Sequence, residues 1–451
     1  MPSPIRRPST WAPVTIATVG LASLVQAEGH IIASTVVSAP HGTFGGVQYR
    51  RYEAMFEGVS SNERPYRVPC QIIAPESPSL GTAGRRVLLF DWLVPTTIGT
   101  AVGQEQADAR YTLTDRFLFS RGVVYATVRC DPAGIGTSSP VARDARPWSD
   151  DLLDTTTEFI TSEGDEFDIV VDYVTALRTD PVARSLTGPV TRTAAFGYSA
   201  SGARLRGLLR LPMGRGLFDF SLVGGTGKGY TYPAADGLES TELEEPPLPG
   251  AGREIDFHSE FDVIALGADG ARHEGHNYRA YQFAGASHIR DIDVVEFGLP
   301  DPDSANPADW VPFFRAIFVA GDRWCDGITP PPSLWLGPPD DARVTRDSRG
   351  NALVTHVGGH AVDTLAFRLP EVAVGQNQYV AIDPSYNDGT LAGFLRMTAG
   401  GHVDLTGTFS SHAAYVAAVA WHARSLMAQR YLLPEDASAI ILRAIDSDIG
   451  R

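Results

Sequence analysis

The stretch Thr193-Ala-Ala-Phe-Gly-Tyr-Ser-Ala-Ser-Gly202 runs from a short apolar segment into Gly-x-Ser-x-Ser-Gly and then into residues compatible with a helix. A strand that breaks at small residues directly into a helix makes a tight turn. A serine at the apex of that turn holds its hydroxyl clear of the backbone, facing whatever binds above it. The motif reads as a nucleophile elbow, with Ser199 as the nucleophile.

On either side of the elbow the pattern alternates. Upstream, Arg86-Val-Leu-Leu-Phe90 and Val123-Val-Tyr-Ala-Thr-Val128 are short, nearly unbroken apolar runs, as expected of strands buried on both faces of a parallel sheet. Phe167, Val170, Val171, Val174 and Leu177 recur at helical spacing and stop at Asp180-Pro181, which predicts a crossover helix. Downstream come a helix through Leu205, Leu208 and Leu209, a strand around Phe218 to Val223, and further strands at Ile255 to Ser259 and Tyr278 to Phe283. Alternating strands and helices predict a doubly wound α/β sheet. From about Ile31 to Pro75 the runs are strand-like between Gly, Pro, Asn and Ser, predicting antiparallel strands at a sheet edge.

Composition bounds the function classes. The 451 residues, 43% hydrophobic, suffice for a large core, and 45 Gly with 32 Pro scattered between apolar runs indicate many loops on an ordered scaffold. A net charge of −16 with no local Lys/Arg cluster argues against nucleic acid and anionic membrane surfaces as partners. Three cysteines, Cys70, Cys130 and Cys325, cannot all pair within one chain and show no metal-ligand spacing. At the N-terminus, Arg6-Arg7 precedes a mostly apolar Ala12 to Val25 and then Val25-Gln-Ala27. Residues 1–27 read as a secretory signal peptide, too short to span a bilayer, so the expected location is secreted or periplasmic. The acidic, Pro-rich stretch of about 230–252 reads as a lid-like loop, and residues from about 306 to 451 as a C-terminal extension packed on the core.

A serine hydroxyl at neutral pH needs a histidine base and an orienting carboxylate, expected in the chain order Ser, acid, His. His288 ends Phe283-Ala-Gly-Ala-Ser-His288, a small-residue loop after a predicted strand that can reach the sheet's carboxyl edge. His402, in Ala399-Gly-Gly-His402, is its rival. For the acid, Glu260 closes the predicted strand Ile255-Asp-Phe-His-Ser-Glu260, and Asp262 is the alternative two residues on. The oxyanion hole is expected from the backbone N–H of Ala200 and a second N–H at Trp92, in the loop after Phe90. Gly224-Gly-Thr-Gly-Lys228-Gly lacks the Ser or Thr of a phosphate loop, and His273-Glu-Gly-His276 and His356 with His360 lack the zinc pattern, so no metal site is expected.

Taken together these motifs resemble the α/β-hydrolase superfamily, and within it a little-characterised family known as "alpha/beta hydrolase domain" proteins, whose elbow is typically Gly-Phe-Ser-Gln-Ser-Gly-Arg. The resemblance covers Phe44-Gly45, Gly197-Tyr-Ser-Ala-Ser-Gly-Ala203, Phe283-Ala-Gly-Ala-Ser-His288, Asp322-Arg-Trp324 with Pro330-Pro-Pro-Ser333, Arg368-Leu-Pro-Glu-Val372 and Tyr431-Leu-Leu-Pro-Glu-Asp436. It implies one catalytic domain over residues 30–451, with Ser199 as nucleophile, His288 as base and Glu260 as acid. Gln and Arg of the family elbow are Ala200 and Ala203 here, which keeps the backbone donor and removes two side chains. The expectation is a cofactor-independent serine hydrolase acting on small-molecule carboxylic esters through an acyl-enzyme, without membrane insertion. A lactonase, amidase or acyltransferase of the same mechanism, or a catalytically silent binding protein on this fold, are the alternatives.

Overall fold

The computed structural model describes residues 29–77, 86–92, 97–98, 101–102, 109–130, 165–226, 252–267, 275–296, 298–337, 344–364, 367–374, 377–389, 391–404 and 409–451. The expected signal peptide and nearly all of the expected lid-like loop lie outside the described residues.

A 13-stranded mixed sheet organises the chain. Its strands are β1 (His30–Ile31), β2 (Val37–Phe44), β3 (Val47–Val59), β4 (Pro65–Pro75), β5 (Val87–Asp91), β6 (Val124–Val128), β7 (Arg192–Tyr198), β8 (Phe220–Gly224), β9 (Arg253–Ser259), β10 (Tyr278–Phe283), β11 (Leu334–Trp335), β12 (Val354–Val357) and β13 (His360–Thr364). The spatial order is β1-β3-β4-β6-β5-β7-β8-β9-β10-β11-β12-β13, with β2 on β3. Strands β6 through β11 run parallel, and β1 to β4 join antiparallel at one edge, as the sequence predicts. Every residue of β5, β6 and β8 is buried, the expected state of a parallel strand covered on both faces.

Residues alternating along these strands feed two apolar layers. Leu88, Phe90 and Ala195 point to the side where helix α1 (Glu166–Thr179) supplies Ile169, Tyr173 and Val174, and where α2 (Ala200–Arg210) supplies Leu205 and Leu208. Leu89, Phe196 and Phe257 point to the other side, against Phe313, Phe314 and Phe318 of α4 (Val311–Trp324); the short helix α3 (Glu260–Ala265) lies between α2 and α4 in the chain. The same layer takes in Tyr415, Val419 and Leu426 of α5 (His412–Ala428) and Ile440 of α6 (Pro434–Asp446). Residues beyond 306 therefore do more than pack on the core. They also lengthen the sheet, because Leu334 pairs with Tyr281 and a hairpin of β12 and β13 follows antiparallel. The short apolar strands of this region gave no clear period-2 signal in the sequence.

Asp180-Pro181 ends α1 and at once begins the next helix, Pro181–Thr187, whose N-cap is the Asp180 carboxylate accepting from the Ala183 N–H at 2.7 Å. The chain steps from β5 outward to β6 and then crosses back to β7 on the other side of β5. The connection from β5 runs to β6 on one side and that from β7 to β8 on the other, and in an open α/β sheet such a reversal opens a crevice beyond the carboxyl ends of the two strands, here β5 and β7. Ser199 is the first residue past β7.

Candidate active site

Ser199 adopts φ 59° and ψ −122°, a left-handed conformation that a side-chain-bearing residue rarely takes and that costs about 1–3 kcal/mol. The surrounding residues over-determine it. The Ser199 N–H donates to the Gly224 carbonyl at 2.8 Å, clamping the turn to the end of β8. A side chain at Gly202 would bring its Cβ within 2.5 Å of the Gly224 oxygen and 2.6 Å of Thr226 Cγ2, and one at Gly197 within 2.7 Å of the Ser201 oxygen. Both glycines therefore permit a close approach of α2 to β7 and β8. Ser201 closes the turn internally: its Oγ accepts from the Tyr198 N–H and donates to the Tyr198 carbonyl, each at 2.9 Å. Farther along, Arg206 pairs with Asp256 at 2.7 Å and Arg210 with Glu254, tying the helix behind the serine to β9.

His288 Nε2 lies 3.0 Å from Ser199 Oγ, and His288 Nδ1 lies 2.6 Å from Asp262 Oδ1. The imidazole stacks on Tyr198 with ring centres 5.1 Å apart, and Tyr198 stacks in turn on Trp310 and Phe257. Asp262 is wholly buried, and its second oxygen accepts from the N–H of Ser259 at 2.7 Å and the hydroxyl of Ser259 at 2.9 Å. Ser259 and Asp262 form a capping box at the start of α3, so helix initiation itself points the carboxylate. Burial pushes the Asp262 carboxyl up, but the charge and hydrogen bond of His288, with His258 and the Ser259 N–H, outweigh it and hold the group below its ordinary range.

The carboxylate against the imidazole is thus Asp262 and not Glu260, the acid named first from the sequence. Glu260 is the first residue of α3 and equally buried, but it points away from the ring: Oε1 accepts from Arg346 Nη2 at 2.5 Å and Oε2 from the Gly285 N–H at 2.8 Å. Position at a strand end does not say which way a side chain turns. The Ser259-Glu-Phe-Asp262 capping pattern was the sequence signal that does. His402 lies elsewhere, with Nδ1 2.9 Å from the Ala305 carbonyl.

For an oxyanion, the Ala200 N–H opens α2 directly after the serine and has no carbonyl one turn back within that helix. Trp92 does not supply the second donor. Its N–H donates to the Phe196 carbonyl at 3.0 Å, continuing the pairing of β5 with β7, and its ring packs edge-on against Phe167. Residues 93–96, which follow, lie outside the described residues. Together the placed groups are a serine hydroxyl, an imidazole in contact with it and a buried carboxylate on the imidazole's far nitrogen, an arrangement chemically able to support acyl transfer.

A family model described as "Alpha/beta hydrolase domain" matches residues 93–442. Among solved structures, an α/β serine hydrolase of Xanthomonas campestris described as lacking a lid is 13% identical, over 60% of this chain and 94% of its own, with a TM-score of 0.31. An esterase of Clostridium hathewayi, described as hydrolysing aliphatic aromatic polyesters, is 11% identical over 58% of this chain and 71% of its own, TM-score 0.31. The carboxylesterase of Geobacillus stearothermophilus is 14% identical over 44% of this chain and 49% of its own, TM-score 0.24. No curated protein sequence matches the chain significantly.

Proposed function

For this chain, which belongs to the alpha/beta hydrolase domain family, we propose the function of a serine-dependent carboxylic ester hydrolase with Ser199, His288 and Asp262 as its triad. The observation that carries the reading is the continuous contact from Ser199 Oγ through His288 to Asp262, at 3.0 Å and 2.6 Å. In this reading Ser199 Oγ attacks the acyl carbon as its proton passes to His288 Nε2. The carbonyl oxygen, now an oxyanion, accepts from the Ala200 N–H. Collapse breaks the ester C–O bond, and His288 returns the proton to the departing alcohol. Water then attacks the acyl-Ser199 ester, giving its proton to His288, and the carboxylic acid leaves with Ser199 restored. Asp262 keeps Nδ1 protonated and Nε2 facing the serine throughout.

The test is covalent labelling by a fluorophosphonate probe together with hydrolysis of a short and a long acyl aryl ester. The expected outcome is labelling of the wild type, its loss in Ser199→Ala, loss of turnover in His288→Ala, and wild-type turnover in His402→Ala. A folded wild-type protein that neither labels nor turns over either ester refutes the reading.

A further inference from the structure

The loop that carries His288 is buried from Ala284 to Ile289, so its backbone polar groups must find partners inside the protein. Those partners form a clamp. The Gly285 N–H donates to Glu260 Oε2 at 2.8 Å, and the Gly285 carbonyl accepts from Asn306 Nδ2 at 2.7 Å. The Ala286 carbonyl accepts from the Glu260 N–H at 3.1 Å, and the His288 N–H donates to the Thr398 carbonyl at 3.0 Å. The His288 carbonyl accepts from the Tyr198 hydroxyl. Glu260 thus holds the loop twice, once by its backbone and once by its side chain. Gly285 is suited to this grip, with φ 77° and room for no side chain, because a Cβ there would lie 2.9 Å from Val372 Cγ2.

A neutral amide could also accept the Gly285 N–H, more weakly than a carboxylate does, and a buried ion is expensive. What the charge adds is Arg346, whose guanidinium reaches Glu260 Oε1 from the C-terminal part of the chain. We infer that Glu260 is a positioning residue for the base. Its carboxylate, held by Arg346, fixes the loop so that His288 keeps its contacts to both Asp262 and Ser199. The inference rests on the hydrolase reading above.

His288 faces Asp262 and Tyr198, the latter within the field of Arg290 and Asp293, and Asp262 also feels His258. Glu260 faces Arg346 and, farther off, Arg368. A loosened loop lets the ring drift from Asp262 and Ser199, which slows the proton transfers on which kcat depends.

The experiment compares full-length wild type, Glu260→Gln and Arg346→Gln by aryl ester kinetics from pH 5 to 9, with fluorophosphonate labelling and near-UV circular dichroism. Glu260→Gln keeps an acceptor for Gly285 but releases Arg346; Arg346→Gln alters a residue whose side chain is 39% exposed, and near-UV circular dichroism checks that each variant is folded. The expected result is a kcat lower by about tenfold or more in Glu260→Gln, a smaller loss in Arg346→Gln, and KM within about twofold in both. Wild-type kinetics in folded Glu260→Gln would overturn the clamp, and so would a KM that rises as far as kcat falls. If Glu260→Gln fails to fold, the same readouts on Arg346→Gln decide the matter. Absence of labelling in folded wild type refutes the hydrolase reading itself and this inference with it.

Discussion

Two carboxylates two residues apart, Glu260 and Asp262, have the same burial and different partners: Asp262 reaches His288, and Glu260 reaches Arg346 and the Gly285 N–H. Asp262→Asn keeps the shape but presents an amide to His288 Nδ1, favouring the wrong tautomer; kcat on an aryl ester is expected to fall by about 10³- to 10⁴-fold, far more than in Glu260→Gln. The depressed ionisation of Asp262 also predicts a stability effect. A group held below its unfolded value contributes stability above that value, about 3.9, and loses it as pH falls through the folded one. Thermal melts between pH 6 and pH 2 should therefore show wild type losing melting temperature below about pH 4 more steeply than Asp262→Asn. Equal slopes would mean that Asp262 is not held ionised by His288. That Ser199 and His288 would lie together could be expected from residue type, chain order and small neighbours. The choice between the two acids was legible only through the capping pattern, since a side chain's direction at a helix start follows from which backbone N–H it caps.

The elbow is an element whose parts are small because its neighbours are close. Gly202→Ala would push a methyl group into the Gly224 carbonyl and Thr226, and the displacement it forces on α2 or β8 is expected to cost about 1–3 kcal/mol. It should also lower labelling of Ser199 in whatever fraction stays folded. Ser201→Ala removes the acceptor of the buried Tyr198 N–H, at a cost of about 1–3 kcal/mol, without touching Ser199 Oγ or the imidazole. Chemical denaturation of both variants checks the costs, and labelling rates separate them: Ser201→Ala should label at the wild-type rate per folded molecule. The parallel strands from β5 to β10, the crossover helix and the helix after the elbow could all be read from the sequence, because continuous apolar runs and 3.6-residue periodicity are imposed locally by two-sided or one-sided burial. β11 and β12, at two and four residues, carry too few positions for either period to register.

Across the whole molecule, the residues beyond 305 complete both the core and the base loop. Phe313, Phe314 and Phe318 cover the face of the sheet that holds Phe196 and Phe257, while Asn306, Arg346 and Thr398 reach the loop of His288 directly or through Glu260. A chain ended at residue 305 would expose that face and leave the edge of β10 unpaired. It is expected to show no cooperative thermal transition and no aryl ester turnover, and a stable, active truncated protein would refute that dependence. The sequence alone determined the α/β class and the strand-turn-helix at Ser199, and it singled out His288 as the candidate partner, because these follow from local patterns: burial periodicity, the need for small residues at a tight turn, and the order expected of such residues along a chain. Only the tertiary structure decided that Asp262 and not Glu260 meets the base, that the Trp92 N–H is spent on β7, and that the C-terminal part extends the sheet and holds the loop. Each of these depends on which of several available partners a group meets in space, a competition among contacts distant in sequence that no local pattern records.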